Sequence, residues 1–396
     1  IAATAPALSQ YLSRNAGVLD AVIGGSFFSP WPDPAALKIE LFRTLEDHDD
    51  YEGKLIAARR WDKEYHFRGG VPHLRGIIDA STTGQQYADL AQAAIGALWP
   101  IVAEEFAHKH GLMPGRGCAI LAMGSLGSER LNAGSDLDLI MIYDAQGTES
   151  SDGPRPLPVR AYFARLTQAL VTALSAPMSE GKLYEVDMRL RPSGRQGPVA
   201  TSFDAFRSYQ ETEAWTWEHL AFTRGRVVAG QSVLADEIEA FRTTLLTQKS
   251  TNQTILTDVA EMRARIASAK PPKNDWDAKI GPGRLQDIEL FAQTVALRSK
   301  SPARDVAGQL QAGVAVGWLD AADARVRDHA AGLFWALQAD VSLLTGGEFD
   351  PEKLGEGAKR VIMHESGCED LPELLDRLIN ARTKADEIIT RMLDTG

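Results

Sequence analysis

The chain has 396 residues, of which 44% are hydrophobic and 24% charged, and its formal net charge is −11. These values are typical of a soluble globular protein with enough apolar material for two or three domains. Proteins that grip DNA or RNA usually need a basic face, so the acidic balance argues against a nucleic-acid partner. No apolar run is long enough to span a bilayer, so we expect no membrane contact.

The two cysteines, Cys118 and Cys368, lie far apart, and no Cys-x-x-Cys pair occurs. We therefore expect reduced, unlinked thiols, no structural zinc site and a cytoplasmic location. The first residue is Ile1 rather than Met. This start indicates a fragment or a processed form.

Residues 1–112 are predicted to form an N-terminal helical region. One helical face is indicated by apolar residues that recur at spacings of three and four: Tyr87, Leu90, Ala94, Leu98 and Ile101. Pro100 is expected to kink or divide that helix. The segment Arg68–Pro72 also contains break signals, although tertiary packing can carry a helix through them.

The residue pattern of 113–230 predicts a mixed α/β core. Short apolar runs at residues 118–124 and 135–144 predict buried strands, and a helical stripe follows between Val159 and Ala176. Residues 182–192 alternate between apolar and charged side chains, which predicts a third strand.

Residues 231–396 return to helical periodicity and are predicted to form a C-terminal helix bundle. The proline-containing segment Pro271–Asp277 is the clearest candidate for a mobile loop. The expected fold class is therefore α+β, with a central core between two helical regions.

The sharpest chemical signal is Gly124-Ser125 followed, ten residues later, by Asp136-Leu137-Asp138. Side chains two apart on a strand share one face, so the two carboxylates can converge on hard cations such as Mg²⁺. Asp187 lies on the polar face of the third predicted strand and is the expected third acid. Two metals held this way can clamp an in-line phosphoryl displacement.

Groups that bind phosphate are expected beside these acids. Gly124 lets backbone amides approach an anion, and Ser125 can add a hydroxyl. Arg189 and Arg191 follow Asp187 on the same polar face, and guanidinium groups match phosphate geometry. We therefore predict that these four residues bind a nucleotide.

Together these segments resemble the polymerase-β-like nucleotidyltransferases and, within them, the glutamine synthetase adenylyltransferases. The resemblance is strong over residues 118–230 and weaker elsewhere, including residues 8–23 and 277–293. It implies that Asp136, Asp138 and Asp187 are the metal-binding and catalytic acids. Family members often carry lysine where Ser125 stands, and Arg284 replaces the second glycine of the later segment.

The resemblance also implies a reaction, its cosubstrates and its regulators. The expected reaction moves AMP from ATP to a tyrosine of glutamine synthetase with two Mg²⁺ ions, under control of the PII signalling protein and, as a possible effector, glutamine. The sequence at residues 184–194 and 213–219 is similar to that of the adenylylating C-terminal half of the family's enzymes.

Three alternatives remain open at this point. One is the half that removes AMP by phosphorolysis, another is a uridylyltransferase, and the third is a catalytically inactive regulatory module. The His-Asp phosphohydrolase motif that uridylyltransferases carry does not occur in this sequence, which argues against the second alternative. A pseudoenzyme would have no need to keep three costly acids together.

Several further residues have less certain roles. Trp215 and Trp217 are expected to be core anchors rather than an adenine platform. For Arg224 and Arg226, contact with the triphosphate is an open possibility. Asp287 and Glu289 fit either a site role or helix capping and ion pairing within the bundle.

Overall fold

A computed structural model describes residues 30–346 and 349–394, and in it the chain is an α+β protein. The resemblance noted at residues 8–23 lies outside the described residues. The helices are α1 (Pro34–Glu46), α2 (Tyr51–Leu74), α3 (Ala80–His110), α4 (Gly124–Gly127), α5 (Val159–Ser175), α6 (Phe203–Thr212), α7 (Thr216–Phe222), α8 (Ser232–Lys249), α9 (Ile255–Ala269), α10 (Leu285–Arg298), α11 (Val306–Ala315), α12 (Ala321–Thr345), α13 (Glu356–Ser366) and α14 (Leu371–Asp394). The strands are β1 (Gly117–Ala122), β2 (Leu137–Asp144), β3 (Val186–Asp187), β4 (Ala200–Ser202) and β5 (Arg226–Gly230).

Aspartates begin the three long N-terminal helices. The carboxylates of Asp33, Asp50 and Asp79 accept hydrogen bonds from backbone amides of the first turns of α1, α2 and α3 at 2.7–2.8 Å. A side chain in this position satisfies an amide that the helix itself leaves without a partner. These caps fix where each helix starts.

Pro100 does not divide the helix, because α3 is continuous over Ala80–His110, and the alternative expectation of a kink stays a prediction. Pro100 lies on the exposed side of α3, whereas Ala94 and Leu98 on the opposite side are fully buried. Pro100 cannot donate to the carbonyl of Gly96, and packing of the buried face holds the helix together despite this loss. Helix α2 likewise runs through Arg68–Pro72.

The sheet has the order β3-β2-β1-β5, and β4 also pairs with β2. Strand β1 is antiparallel to both β2 and β5, while β3 and β4 run parallel to the two ends of β2. The two apolar runs predicted to be strands are thus its central pair. The third predicted strand is wrong in length, since only Val186–Asp187 is extended.

Side chains of the central strands alternate between two hydrophobic cores. Ile120 and Leu139 face a core shared with α1, α2, α3 and α5. Leu121 and Ile140 face a second core, which phenylalanines and leucines of α6, α7 and α8 complete. The sheet is therefore buried between helical layers on both faces, and the helices that pack on it come from both sides of it in the sequence.

The helices α9–α14 pack around a third core. Most buried residues of α8, which the sequence assigns to the C-terminal bundle, belong instead to the second core on the sheet. A buried bridge ties this bundle to the N-terminal helices. His73 of α2 lies with its Nε2 2.6 Å from Oδ1 of Asp340 on α12, and both side chains are about 1% exposed. Its Nδ1 lies 3.0 Å from the hydroxyl of Thr83 on α3. The indole nitrogen of Trp335 on α12 donates to the carbonyl of Ala80 at 3.2 Å.

Two expectations from composition can be compared with the structure. Cys118 and Cys368 are free and buried, which confirms that they are unlinked. Within the described part of the chain, no helix combines the length and the apolar character needed to cross a bilayer.

Two glycines of the bundle predict opposite responses to alanine. Gly283 has a φ of +68°, and a Cβ there would lie 1.9 Å from the carbonyl oxygen of Arg382. Gly332 lies within α12 and a Cβ there would meet nothing within 4 Å. We expect Gly283→Ala to lower the free energy of unfolding by about 1–3 kcal/mol through backbone strain. Gly332→Ala should raise it by roughly 0.5–1 kcal/mol, because alanine favours a helix interior. Urea unfolding of both variants measures the difference, and equal destabilisation would contradict this packing.

Candidate active site

The predicted acids meet at the edge of the sheet where β2 begins. Strands β2 and β3 are parallel there, with Asp138 directly paired to Asp187. Asp136 lies two residues before Asp138 and is exposed. Asp138 is the first polar residue on the sheet face that continues as Ile140 and Ile142 into a buried core. The strand therefore delivers a carboxylate at the point where the core opens to solvent.

Gly124 lies directly against Asp138. Its φ is +54°, and a Cβ at this position would be 2.3 Å from Oδ2 of Asp138. Only a glycine therefore lets the turn after β1 approach this carboxylate. Ser125 follows as the second residue of the short helix α4. The structure thus brings the glycine–serine turn and Asp138 together, as the spacing in the sequence predicts.

The acids repel one another electrostatically. Burial, followed by the charges of Asp187 and Asp136, raises the pKa of Asp138 to about 6. The positive charges of Arg189 and Lys279 act in the opposite direction. A carboxylate with this balance is under-compensated, and a cation beside it would relieve the repulsion.

Arg189 is committed to Asp187 in this structure. The carboxylate accepts hydrogen bonds from the backbone N of Arg189 at 2.8 Å and from its Nε at 2.5 Å, and the two side chains form an ion pair. These contacts hold the pKa of Asp187 below its usual range. They also close a turn immediately after Asp187, which replaces the sheet pairing expected for the following residues.

Arg191 does not lie with the acids but organises the loop beyond them. Its guanidinium donates to the carbonyl oxygens of Met188 at 2.6 Å, Gly197 at 3.2 Å and Arg195 at 3.3 Å. The nucleotide contact expected of Arg191 stays a prediction. What the geometry shows is an arginine that fixes the shape of the loop after β3.

The donor set can be compared with the needs of a magnesium ion. Across residues 30–346 and 349–394, no three acidic, histidine or cysteine side chains are arranged to share one metal ion. Magnesium, however, is usually bound by one or two carboxylates together with substrate phosphates. Asp136 and Asp138 supply oxygen donors of the right kind, so the residues present fit such an ion.

The tryptophans near the site are not core anchors, and that prediction is wrong. Trp215 is 69% exposed and Trp217 39% exposed. The buried residue of this segment is Glu218, whose carboxylate accepts hydrogen bonds from the backbone N of Trp215 and the hydroxyl of Tyr209, both at 2.9 Å. Glu218 therefore caps α7, and this turns the indoles outward.

The two arginines of β5 and the turn before it are occupied by protein partners. Arg224 pairs with Glu289 at 3.4 Å and reaches the side-chain amide of Gln293. Arg226 donates to the side chain of Gln92 at 2.5 Å and to the carbonyl of Leu126 at 3.0 Å. Both side chains therefore tie the core to neighbouring helices.

Asp287 is a structural residue of the bundle. Its carboxylate accepts from Arg263 at 2.8 Å on each oxygen and from the backbone N of Gly283 at 2.7 Å. Of the two readings that the sequence left open, ion pairing within the bundle accounts for its contacts.

Lys279 is a residue that sequence reasoning did not single out, although its charge acts on one of the acids. It belongs to the segment before α10 and is exposed, yet its charge acts on Asp138. The signal that could have found it is a lone lysine in the later segment of resemblance, at residues 277–293, in a chain with a neutral residue at position 125.

Comparison with known proteins supports the resemblance. A model of a family described as glutamate-ammonia ligase adenylyltransferase matches residues 1–240. The chain is 38% identical over 395 residues to a protein of Rhodopseudomonas palustris named bifunctional glutamine synthetase adenylyltransferase/adenylyl-removing enzyme. It is 37% identical to proteins of the same name from a Bradyrhizobium species, over 396 residues, and from Brucella suis, over 399 residues. Each match covers 98% of this chain and 40% of the relative, so the chain spans about two fifths of those proteins.

Proposed function

The chain belongs to the glutamate-ammonia ligase adenylyltransferase family, and from that premise we propose that it transfers AMP from ATP to a tyrosine hydroxyl of glutamine synthetase and releases pyrophosphate. The observation that carries the proposal is the pairing of Asp138 with Asp187 against Gly124. Carboxylates gathered at the edge of a sheet, beside a glycine turn that a phosphate can approach, suit metal-assisted transfer of a nucleotidyl group.

Each acid has a separate role in this proposal. Asp136 and Asp138, with Asp187, would hold Mg²⁺. Bound magnesium would offset the charge of the triphosphate and lower the pKa of the attacking hydroxyl. Because Arg189 keeps Asp187 ionised, Asp187 suits the role of an oxygen ligand better than that of a proton acceptor. Arg189, with a side chain that is 63% exposed, can contact a phosphate as well as Asp187.

The adenylylating direction is favoured over AMP removal by the sequence around the acids. Residues 184–194 and 213–219 are similar to the adenylylating half of the family. The names of the relatives cover both addition and removal of AMP, and this chain spans about two fifths of their length. Regulation by a PII signalling protein and by glutamine belongs to the same proposal.

The choice of anion distinguishes the two directions. We expect glutamine synthetase to gain label from α-labelled ATP, but not from α-labelled UTP, when Mg²⁺ is present. Adenylylated glutamine synthetase should return its AMP as ATP when pyrophosphate is supplied, since pyrophosphate is the leaving group of this reaction. It should yield almost no ADP when phosphate is supplied.

Chromatographic separation of labelled ATP and ADP measures both outcomes. Rapid ADP formation from phosphate would assign the chain to AMP removal. Transfer from UTP would favour a uridylyltransferase. A chain that binds PII but labels nothing would be a regulatory module.

A further inference from the structure

An open pocket of about 420 Å³ lies where the segment before α10 meets α14. The segment comes close to the helix at Gly283, where a Cβ would lie 1.9 Å from the carbonyl oxygen of Arg382. This volume is enough for a small metabolite. The pocket is lined mainly by polar side chains, among them Asn274, Asp275, Arg284, Arg382, Thr383 and Asp386. A polar ligand therefore suits it better than an apolar one.

Arg284 lines this pocket with part of its guanidinium group unused. The residue is only 3% exposed. Its Nη1 donates to the carbonyl oxygens of Asn274, at 3.0 Å, and Asp277. Among the residues that the structure describes, its Nε and Nη2 have no hydrogen-bond partner and no carboxylate forms an ion pair with it. Buried donors without acceptors cost free energy, so an acceptor that meets them is bound favourably.

The other charged side chains of the pocket are already paired. Nη1 of Arg382 lies 2.8 Å from Oδ1 of Asp275, and Asp386 pairs with Arg263 of α9. Burial, and then the charge of Arg382, lower the pKa of Arg284, which is the effect of a cation without an acidic partner. One positive charge is therefore left for a ligand to balance.

The guanidinium group of Arg284 is held in place by the protein itself. The two bonds from its Nη1 fix it to the loop before α10. That loop is closed in turn by Asp277, whose Oδ1 accepts from the backbone N of Lys279 and of Ile280, both at 3.0 Å. Little conformational freedom is lost when the free edge of the guanidinium group meets a ligand.

We propose that this pocket binds a small organic anion through a carboxylate group, which accepts two hydrogen bonds from the Nε–Nη2 edge of Arg284. That edge presents two parallel N–H groups, and these match the two oxygens of a carboxylate. One negative charge balances the unpaired cation, whereas the second charge of a phosphate group would meet Asp275 and Asp386. Asn274 and Thr383 suit a ligand that also carries hydroxyl groups.

Gluconate, a monocarboxylate with five hydroxyl groups, is the probe, and saturation-transfer NMR on the full chain measures its binding. We expect Arg284→Met to weaken that binding by about tenfold or more, because a bidentate, charge-assisted contact is lost. Sorbitol has the same carbon chain and hydroxyl groups without the carboxylate, and it should bind far more weakly than gluconate. Inorganic phosphate at the same concentration should not displace gluconate.

A second variant leaves Arg284 and its loop intact. Thr383 is exposed on α14, so Thr383→Trp fills the pocket without disturbing the core and should abolish gluconate binding. Thr243→Trp on α8 is the matched control and should bind gluconate normally. Both threonines are exposed and donate to the carbonyl four residues earlier, at 2.8 Å for Thr383 and 3.1 Å for Thr243.

Four results would overturn the inference. The first is a lack of gluconate binding by the unaltered chain, and the second is binding of sorbitol as strong as that of gluconate. The third is displacement of gluconate by equimolar phosphate. The fourth is an equal affinity for gluconate in Thr383→Trp and Thr243→Trp.

Discussion

Asp138→Asn should reduce AMP transfer to glutamine synthetase on the order of 10³-fold, while the chain becomes no less stable. The substitution preserves volume and removes one of the three carboxylates that repel one another at the start of β2. A residue that serves the reaction rather than the fold is expected to lose activity on substitution without a loss of stability. Rates of label incorporation and thermal unfolding temperatures, measured on the same preparations, report the two effects.

Asp144→Asn is the control on the same strand. Asp144 ends β2 and pairs with Arg116, whose Nε lies 2.6 Å from its Oδ2. This variant should transfer AMP at the normal rate and unfold at a slightly lower temperature, because it loses an ion pair without touching the site. Normal transfer by Asp138→Asn, or a large loss in Asp144→Asn, would remove the support for the proposed acid site.

Asp340→Ala should lower the free energy of unfolding by about 3–5 kcal/mol, because it leaves His73 buried without its charged partner. Burial alone would lower the pKa of His73, but the hydrogen bond to Asp340 and the charges of Asp340 and Glu365 outweigh it and raise that pKa. Urea unfolding at several pH values measures the effect. The exposed pair Glu261–Arg265 on α9 offers a control, since Glu261→Ala should cost under about 0.5 kcal/mol.

The sign of the pH dependence follows from these pKa shifts. In the unaltered chain the folded pKa of His73 exceeds the unfolded value of 6.5. The stabilisation that protonated His73 gives to the folded state is therefore complete below pH 6.5 and is lost as pH rises through the folded pKa. In Asp340→Ala the pKa should fall below 6.5, which destabilises the variant in acid. The difference in the free energy of unfolding between the unaltered chain and Asp340→Ala should therefore be largest in acid and shrink towards alkaline pH. A difference that grew with pH would contradict the buried pair.

The central strands and most helices could be predicted because their signals are local. The runs that became β1 and β2 are apolar on both faces, and each is short enough to be a strand rather than a helix. The site signal is local as well, since Gly124 lies in the turn after β1 and Asp138 lies in β2, the next strand along the chain. Asp187 could be placed beside them because it lies on the charged face of a segment whose apolar and charged side chains alternate.

The remaining features depend on contacts between distant segments. The alternation after Asp187 predicts a strand, but hydrogen bonds from Arg189 and Arg191 turn the chain instead. Burial of Trp215 was expected from its size, yet the cap formed by Glu218 directs it outward. The His73–Asp340 pair, whose residues are 267 positions apart, has no periodic pattern that a single sequence could reveal.

The buried bridge between α2 and α12 limits how the protein can keep water away from the nucleotide during the reaction. Many transferases shield an activated phosphorus by swinging one domain over the nucleotide. Here such a hinge motion of the bundle against the N-terminal helices would have to break the His73–Asp340 pair and the bond from Trp335 to Ala80. The position of the bundle relative to the N-terminal helices is thus established when the chain folds. For the proposed reaction, shielding ATP from hydrolysis would then fall to the acceptor protein, which would seal the site with its own surface as its tyrosine arrives.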